Sequence, residues 1–294
     1  SEIRALVFLT IGFTVVVQGG TGALVARMLG VRAPGRETVL ILGAEELGFA
    51  LGEVLREDGG HVVFADVNPS HCRAAQERGF PVVYGNVLEP RTLARMRLER
   101  ARAVIGLTAN NEVNSHFAGE ALEEFGVRNV YVSVNRGSSE VNSRIVEKQE
   151  SRVLFDGPKD VERWHVRFRH GDVAVRKYRQ REPEEAQEAA GDAPPPGESP
   201  STAANGPEPF ILLAVRRGER WEPMSQSLEI EAGEISAVAI YLPAEEMARE
   251  ALAQKGWLPA EPGSQSSPQQ PSGDMGLTRV GRQGKTGDLG GRVA

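Results

Sequence analysis

Cysteine is almost missing. Cys72 is the only one in 294 residues, so no intrachain disulfide can form, in agreement with a reducing compartment. The five histidines (61, 71, 116, 165 and 170) fall at no metal-ligand spacing, which leaves no Cys/His metal cluster. A basic stripe is absent too: net charge is −6 and the pI about 5.6, so the electrostatic footprint of a nucleic-acid binder is not there. No internal repeat is found. Charge itself is missing from residues 5–26, ALVFLTIGFTVVVQGGTGALVA.

A helix of ~20 mostly apolar residues suffices to cross a bilayer. Arg27, Arg32 and Arg36 follow the uncharged run, and the positive-inside rule then places what comes after in the cytoplasm. Gln18, Gly19, Gly20, Thr21 and Gly22 in its middle suit packing of helix on helix within a membrane bundle. The sequence therefore predicts one transmembrane helix over 1–30 at a cell (plasma or inner) membrane, the last of a bundle whose other helices lie upstream. A signal peptide fits less well, because Arg4 is the only basic residue ahead of the run and no small-residue cleavage site leads into a secreted domain.

From Thr38 to Gly157 apolar strand-like runs alternate with helical periods. The strand candidates are 38–43, 61–66, 81–86, 101–108, 129–135 and 152–155, and their continuous Val/Ile/Leu content suits strands covered on both faces. Leu47, Ala50, Leu51, Val54 and Leu55 recur at helical spacing. Asn68-Pro69 reads as the cap and first residue of a second helix stopped at Gly79, Pro90 opens a third, and Val113, Phe117, Ala121 and Leu122 mark a fourth. This alternation predicts an α/β fold, a doubly wound parallel Rossmann-like sheet, over 37–170.

After it, residues 171–260 read as a small β-rich domain. Strands are expected at 172–179, 210–217 and 227–242, with a turn at Gly218, a helix opened by Pro243 and Trp257 packing back on it. Residues 183–208 interrupt it and 261–294 follow it; both are Pro-, Gly-, Ser- or Gln-rich and too poor in apolar residues to fold.

The turn after the first strand is Gly43-Ala44-Glu45-Glu46-Leu47-Gly48. A dinucleotide turn uses three glycines: one for the tight bend, one for phosphate approach, one for helix–strand packing. Gly43 and Gly48 take the first and third places, and Glu45 takes the second, setting a carboxylate where a pyrophosphate would lie on the helix N-terminus. Asp66 ends the second strand 23 positions after Gly43, close to the spacing of a ribose-binding acid. Gly85-Asn86 and Thr108 end the third and fourth strands, where open α/β sheets bind ligands; turn chemistry explains them equally well. The candidate site is therefore Gly43, Ala44, Glu45, Gly48, Asp66, Asn86 and Thr108, with no catalytic residue and no metal. His71/Cys72 and Ser115/His116 have no orienting third group, and Trp164-His165 reads as a packing pair.

The segment FLTIGFTVVVQGGTGALVARMLGV, in particular Val17-Gln18-Gly19-Gly20-Thr21, resembles the last transmembrane helix of Na+/H+ antiporters of the cation:proton antiporter family. Residues 37–157 resemble the RCK (TrkA N-terminal) domain through Gly43, Gly48, Asp66, Gly85-Asn86 and Thr108, departing from it at Glu45 and at Asn86, where an aspartate is common. The resemblance implies NAD(H) or an adenine nucleotide (AMP or ATP) as ligand, weakened or lost through Glu45. It also implies upstream transporter helices and a homodimer through the RCK domain. The function read is the cytoplasmic regulatory region of a monovalent cation/proton antiporter, not an enzyme. A regulator of a potassium channel or uptake system and an NAD-dependent oxidoreductase are the alternatives.

Overall fold

Thr38–Leu42 (β1) sends Val39 and Ile41 to one face and Leu40 and Leu42 to the other, and each pair enters a different core. That double burial is why the run is apolar without alternation. A computed structural model describes residues 3–15, 38–135, 150–182 and 208–260. β1 lies inside a six-stranded parallel sheet of order β3-β2-β1-β4-β5-β6. Its other strands are His61–Asp66 (β2), Val82–Tyr84 (β3), Ala101–Gly106 (β4), Val130–Val132 (β5) and Arg152–Val153 (β6). Every pairing is parallel, so the doubly wound Rossmann-like sheet expected from the alternation is present.

Residues 3–15 form a helix (α1) that exposes Ile3, Leu6, Phe8, Leu9, Ile11 and Phe13. Among the described residues no helix is long and apolar enough to cross a membrane. The rest of the uncharged run, residues 16–26, lies outside the described residues, as do 183–207 and 261–294.

Four helices follow the expected punctuation: Glu46–Arg56 (α2), Pro69–Glu77 (α3), Pro90–Met96 (α4) and Asn111–Glu123 (α5). Asn68 caps α3 by accepting from Ser70 N at 2.9 Å, and the Asn110 side chain caps α5. α4 and α5 cover one face of the sheet through Leu93, Met96, Phe117, Ala118 and Ala121. α2, α3 and a further helix, Val161–Arg169 (α6), cover the other.

A second sheet packs on that helical layer. It is antiparallel, of order β11-β7-β10-β8-β9, built from Val173–Gln180 (β7), Phe210–Arg217 (β8), Arg220–Pro223 (β9), Ile235–Tyr241 (β10) and Trp257–Pro259 (β11). Ile211, Leu213, Trp221, Ala237 and Ala239 enter the same core as Ile41, Leu51, Phe64 and Trp164. The outer face, with Phe210, Leu212, Val238 and Ile240, is covered by Glu245–Gln254 (α7) through Ala248 and Leu252, with Trp257 against them. Sandwiched between two sheets, α2 buries every residue from Leu47 to Gly52 and also Val54 and Leu55, almost all round, as a helix within a core must.

Two expectations are corrected here. The run 227–242 is strand only from Ile235; Gly233, at φ 81°, turns the chain just before it, and β9 supplies the missing neighbour. Glu208, counted with the unstructured tract, is seated: its carboxylate takes Lys159 Nζ at 2.6 Å and Trp164 Nε1 at 3.1 Å. Buried Lys159 also pairs with Asp156 at 2.7 Å. These carboxylates hold its ammonium charge despite burial, and Lys159 in turn holds Asp156 below the usual carboxylate range although burial alone would raise it.

Since one core serves both sheets, they should unfold together. Trp221→Ala is expected to cost about 3–5 kcal/mol. In urea, far-UV circular dichroism and tryptophan fluorescence should report one coincident transition; two separated transitions would contradict the shared core.

Candidate functional site

The β1–α2 turn lies at the switch point between β1 and β4, where the strand order reverses. Gly43 adopts φ 104°, and a Cβ there would lie 2.5 Å from Leu107 O, so only glycine fits between the two strand ends. At Gly48 a Cβ would meet Gly43 O at 2.7 Å, which is the close helix–strand packing expected of the third glycine.

Asp66 is buried beside this turn. Its Oδ2 accepts from Ala44 N at 2.8 Å and lies 3.3 Å from His71 Nδ1, while its Oδ1 accepts from Asn68 N at 2.8 Å. Gly43, Ala44, Glu45, Gly48 and Asp66 thus converge. Thr108 adjoins them, with its Cγ2 3.4 Å from where a Gly43 Cβ would stand. Its Oγ1 and N both bond the fully buried Asn114, whose amide also reaches Ser133 Oγ at 3.0 Å. Asn86 stands apart at the end of β3, where its exposed side chain accepts from Leu88 N in a local turn.

Glu45 is the N-cap residue of α2 but makes no side-chain capping bond. The missing acceptor comes from another part of the chain: His165 Nδ1, on α6, accepts from Leu47 N at 3.2 Å across 118 positions. With Nδ1 accepting, the ring proton sits on Nε2. That nitrogen is buried without a hydrogen-bond partner, 3.9 Å from Glu45 Oε1, and Arg169 Nη2 lies 3.8 Å from Glu45 Oε2.

Burial holds the His165 pKa down to about 4, with Arg169 and His71 adding to the effect. Burial likewise raises Glu45. His165, His71, Arg169 and Asn114 were not singled out as site residues from the sequence, and Trp164-His165 is split in role: Trp164 packs, while His165 caps. The one available signal was a glutamate at an N-cap, a poor capping residue, which leaves a helix end in want of a foreign acceptor.

A pyrophosphate does not fit this arrangement. Two of the backbone donors that would hold it, Ala44 N and Leu47 N, are committed to Asp66 and His165, and the Glu45 carboxylate repels an anion there. Asp66, the expected ribose acceptor, already bonds two backbone amides.

Because His165 is neutral in the fold, lowering the pH from 6.5 to 4 lets the unfolded chain take up a proton that the folded chain does not. Stability should therefore fall across that window by up to about 3 kcal/mol. In His165→Gln, whose side-chain oxygen can still accept from Leu47, that part of the decline should vanish. The comparison also cancels the opposite-signed contribution of Glu45, which keeps its proton longer when folded. Urea titrations at stepped pH measure the difference, and identical slopes for the two chains would contradict the assignment.

Residues 39–150 match the family model of the TrkA-N domain. No curated protein matches the chain. Among solved structures it is similar to the TrkA-N domain of the inner membrane protein YbaL from Escherichia coli, at 17% identity and TM-score 0.36, covering 39% of this chain and 83% of that one. The GsuK RCK domain is 14% identical, TM-score 0.35, over 76% of this chain and 48% of that one. The GsuK channel solved bound to NAD is 14% identical, TM-score 0.37, over 83% and 46%. The chain thus spans about half the length of the GsuK chains. The matched residues 39–150 take in the strands β1 to β5 of the parallel sheet and the helices between them.

Proposed function

We propose that the chain is the regulatory region of a monovalent cation/proton antiporter, in which the TrkA-N domain biases the transport equilibrium of membrane helices upstream of it. The observation that carries this reading is the switch-point crevice, held by α6, a helix that runs directly into the second sheet. A change at the crevice therefore has a mechanical path to another layer of the fold. The exposed apolar side chains of α1 and the uncharged run through residue 26 support a membrane tether, with the TrkA-N domain on the cytoplasmic side. NAD(H) is the proposed effector, a reading supported by the GsuK channel solved with NAD, and AMP or ATP is the proposed alternative. The domain acts here as a sensor, not as an enzyme.

Proteoliposomes carrying the complete transporter test the reading. Sodium or potassium pulses should drive proton flux, and deletion of residues 37–260 should leave flux but abolish its regulation. Uncoupled potassium conductance would assign the region to a channel instead, and the absence of any flux would overturn the transport reading.

Closed two-fold symmetry is the commonest assembly, and residues 37–260 are expected to form a dimer. Light scattering should give twice the chain mass; a monomer mass independent of concentration would contradict it.

A further inference from the structure

α6 reaches along the carboxyl edge of the parallel sheet. At its start, Lys159 N bonds Val134 O at 2.9 Å and Val161 N bonds Asn135 Oδ1 at 3.3 Å, both just beyond β5. At its middle, His165 takes the Leu47 amide of the β1–α2 turn. At its end, Arg169 faces Glu45, and Asp172 N bonds Arg167 O as the chain enters β7. The helix thus spans from β5 to β1, across the crevice between β1 and β4 where ligands of such sheets bind.

The seat at the start of α2 holds two groups of this chain. One is an imidazole, 3% exposed, whose acceptor nitrogen satisfies a helix-terminal N–H and whose Nε2–H finds no hydrogen bond. The other is the Glu45 carboxylate, which stands near that N–H and near the Arg169 guanidinium without a capping bond. A phosphate at this helix end would take over what the two supply between them: an acceptor for the Leu47 amide, now His165 Nδ1, and negative charge, now the Glu45 carboxylate.

We propose that α6 is an intrachain plug of the nucleotide seat, with His165 and Glu45 together standing in the place of a ligand phosphate. The proposal rests on reading the TrkA-N domain as a nucleotide sensor. It makes occupancy of the seat a competition: a nucleotide enters only as the Glu45 carboxylate and the His165 ring withdraw, and withdrawal of His165 moves the helix that leads into β7. The built-in occupant sets the threshold at which the sensor answers.

Calorimetric titrations of the full chain with NAD, NADH, AMP, ADP and ATP test this. The parent is compared with Glu45→Gly, which keeps an acceptable N-cap residue, and with Glu45→Gly/His165→Ala. The plug requires at least tenfold tighter binding of one of these nucleotides to Glu45→Gly than to the parent, and tighter still to the double variant. Should the double variant not fold, the His165 ring resonance of Glu45→Gly supplies the second readout: it must shift as nucleotide saturates. Equal affinity in parent and variants, or an unmoved His165 resonance, overturns the plug while leaving the sensor reading intact. Failure of every folded variant to bind any of these nucleotides at millimolar concentration overturns the sensor reading, and the plug with it.

Discussion

The hydrogen bond from the Leu47 amide to His165 Nδ1 is the constraint on which the site depends. An α-helix leaves its first amides unpaired, and within a buried core such a group must find an acceptor. Glu45 does not supply one. The acceptor comes from α6, so the end of α2, the first crossover helix of the sheet, cannot be completed until α6 docks. That single requirement fixes the imidazole as neutral, buries it over the switch point and brings Arg169 beside Glu45.

The same docking explains the layering. α6 and α2 lie side by side, and together they present Trp164, Leu51 and Leu55 to the second sheet. Trp221 N bonds Asp58 Oδ2 at 2.7 Å, and Phe155 N bonds Met224 O at 2.7 Å, so backbone as well as side chains crosses the seam. The Asp156–Lys159–Glu208 group adds a buried ionic link; removing one member would strand a buried charge, which costs far more than the intact group contributes. The β-rich segment is therefore a layer of the same core that holds the parallel sheet.

The parallel sheet was legible because its signals are local. The apolar runs of β1, β2 and β4, the Asn68-Pro69 cap and the Gly43 turn each follow from a few neighbouring residues, and the structure places all of them. Two things were not legible. The near-complete burial of α2 depends on a second sheet whose approach leaves no periodic mark in α2 itself. The role of His165 depends on a contact across 118 positions, and a lone histidine beside a tryptophan reads the same whether it packs or caps. Asp66 was found by its spacing from Gly43, but its present partners, Ala44 N and Asn68 N, are backbone groups that no spacing rule names. Nor does any local pattern name the partners of Glu245, which pairs with Arg176 and Arg249, the Arg176 hydrogen bond leading in holding it below the usual carboxylate range.

The most direct test of the account is the protonation of His165 in the folded chain. A long-range proton–nitrogen correlation of the imidazole rings should show His165 as the neutral Nε2–H tautomer, unchanged from pH 8 to pH 5. A ring carrying its proton on Nδ1, or one that titrates at the ordinary histidine value near 6.5, would mean that Leu47 is not its partner and that the seat at α2 is open.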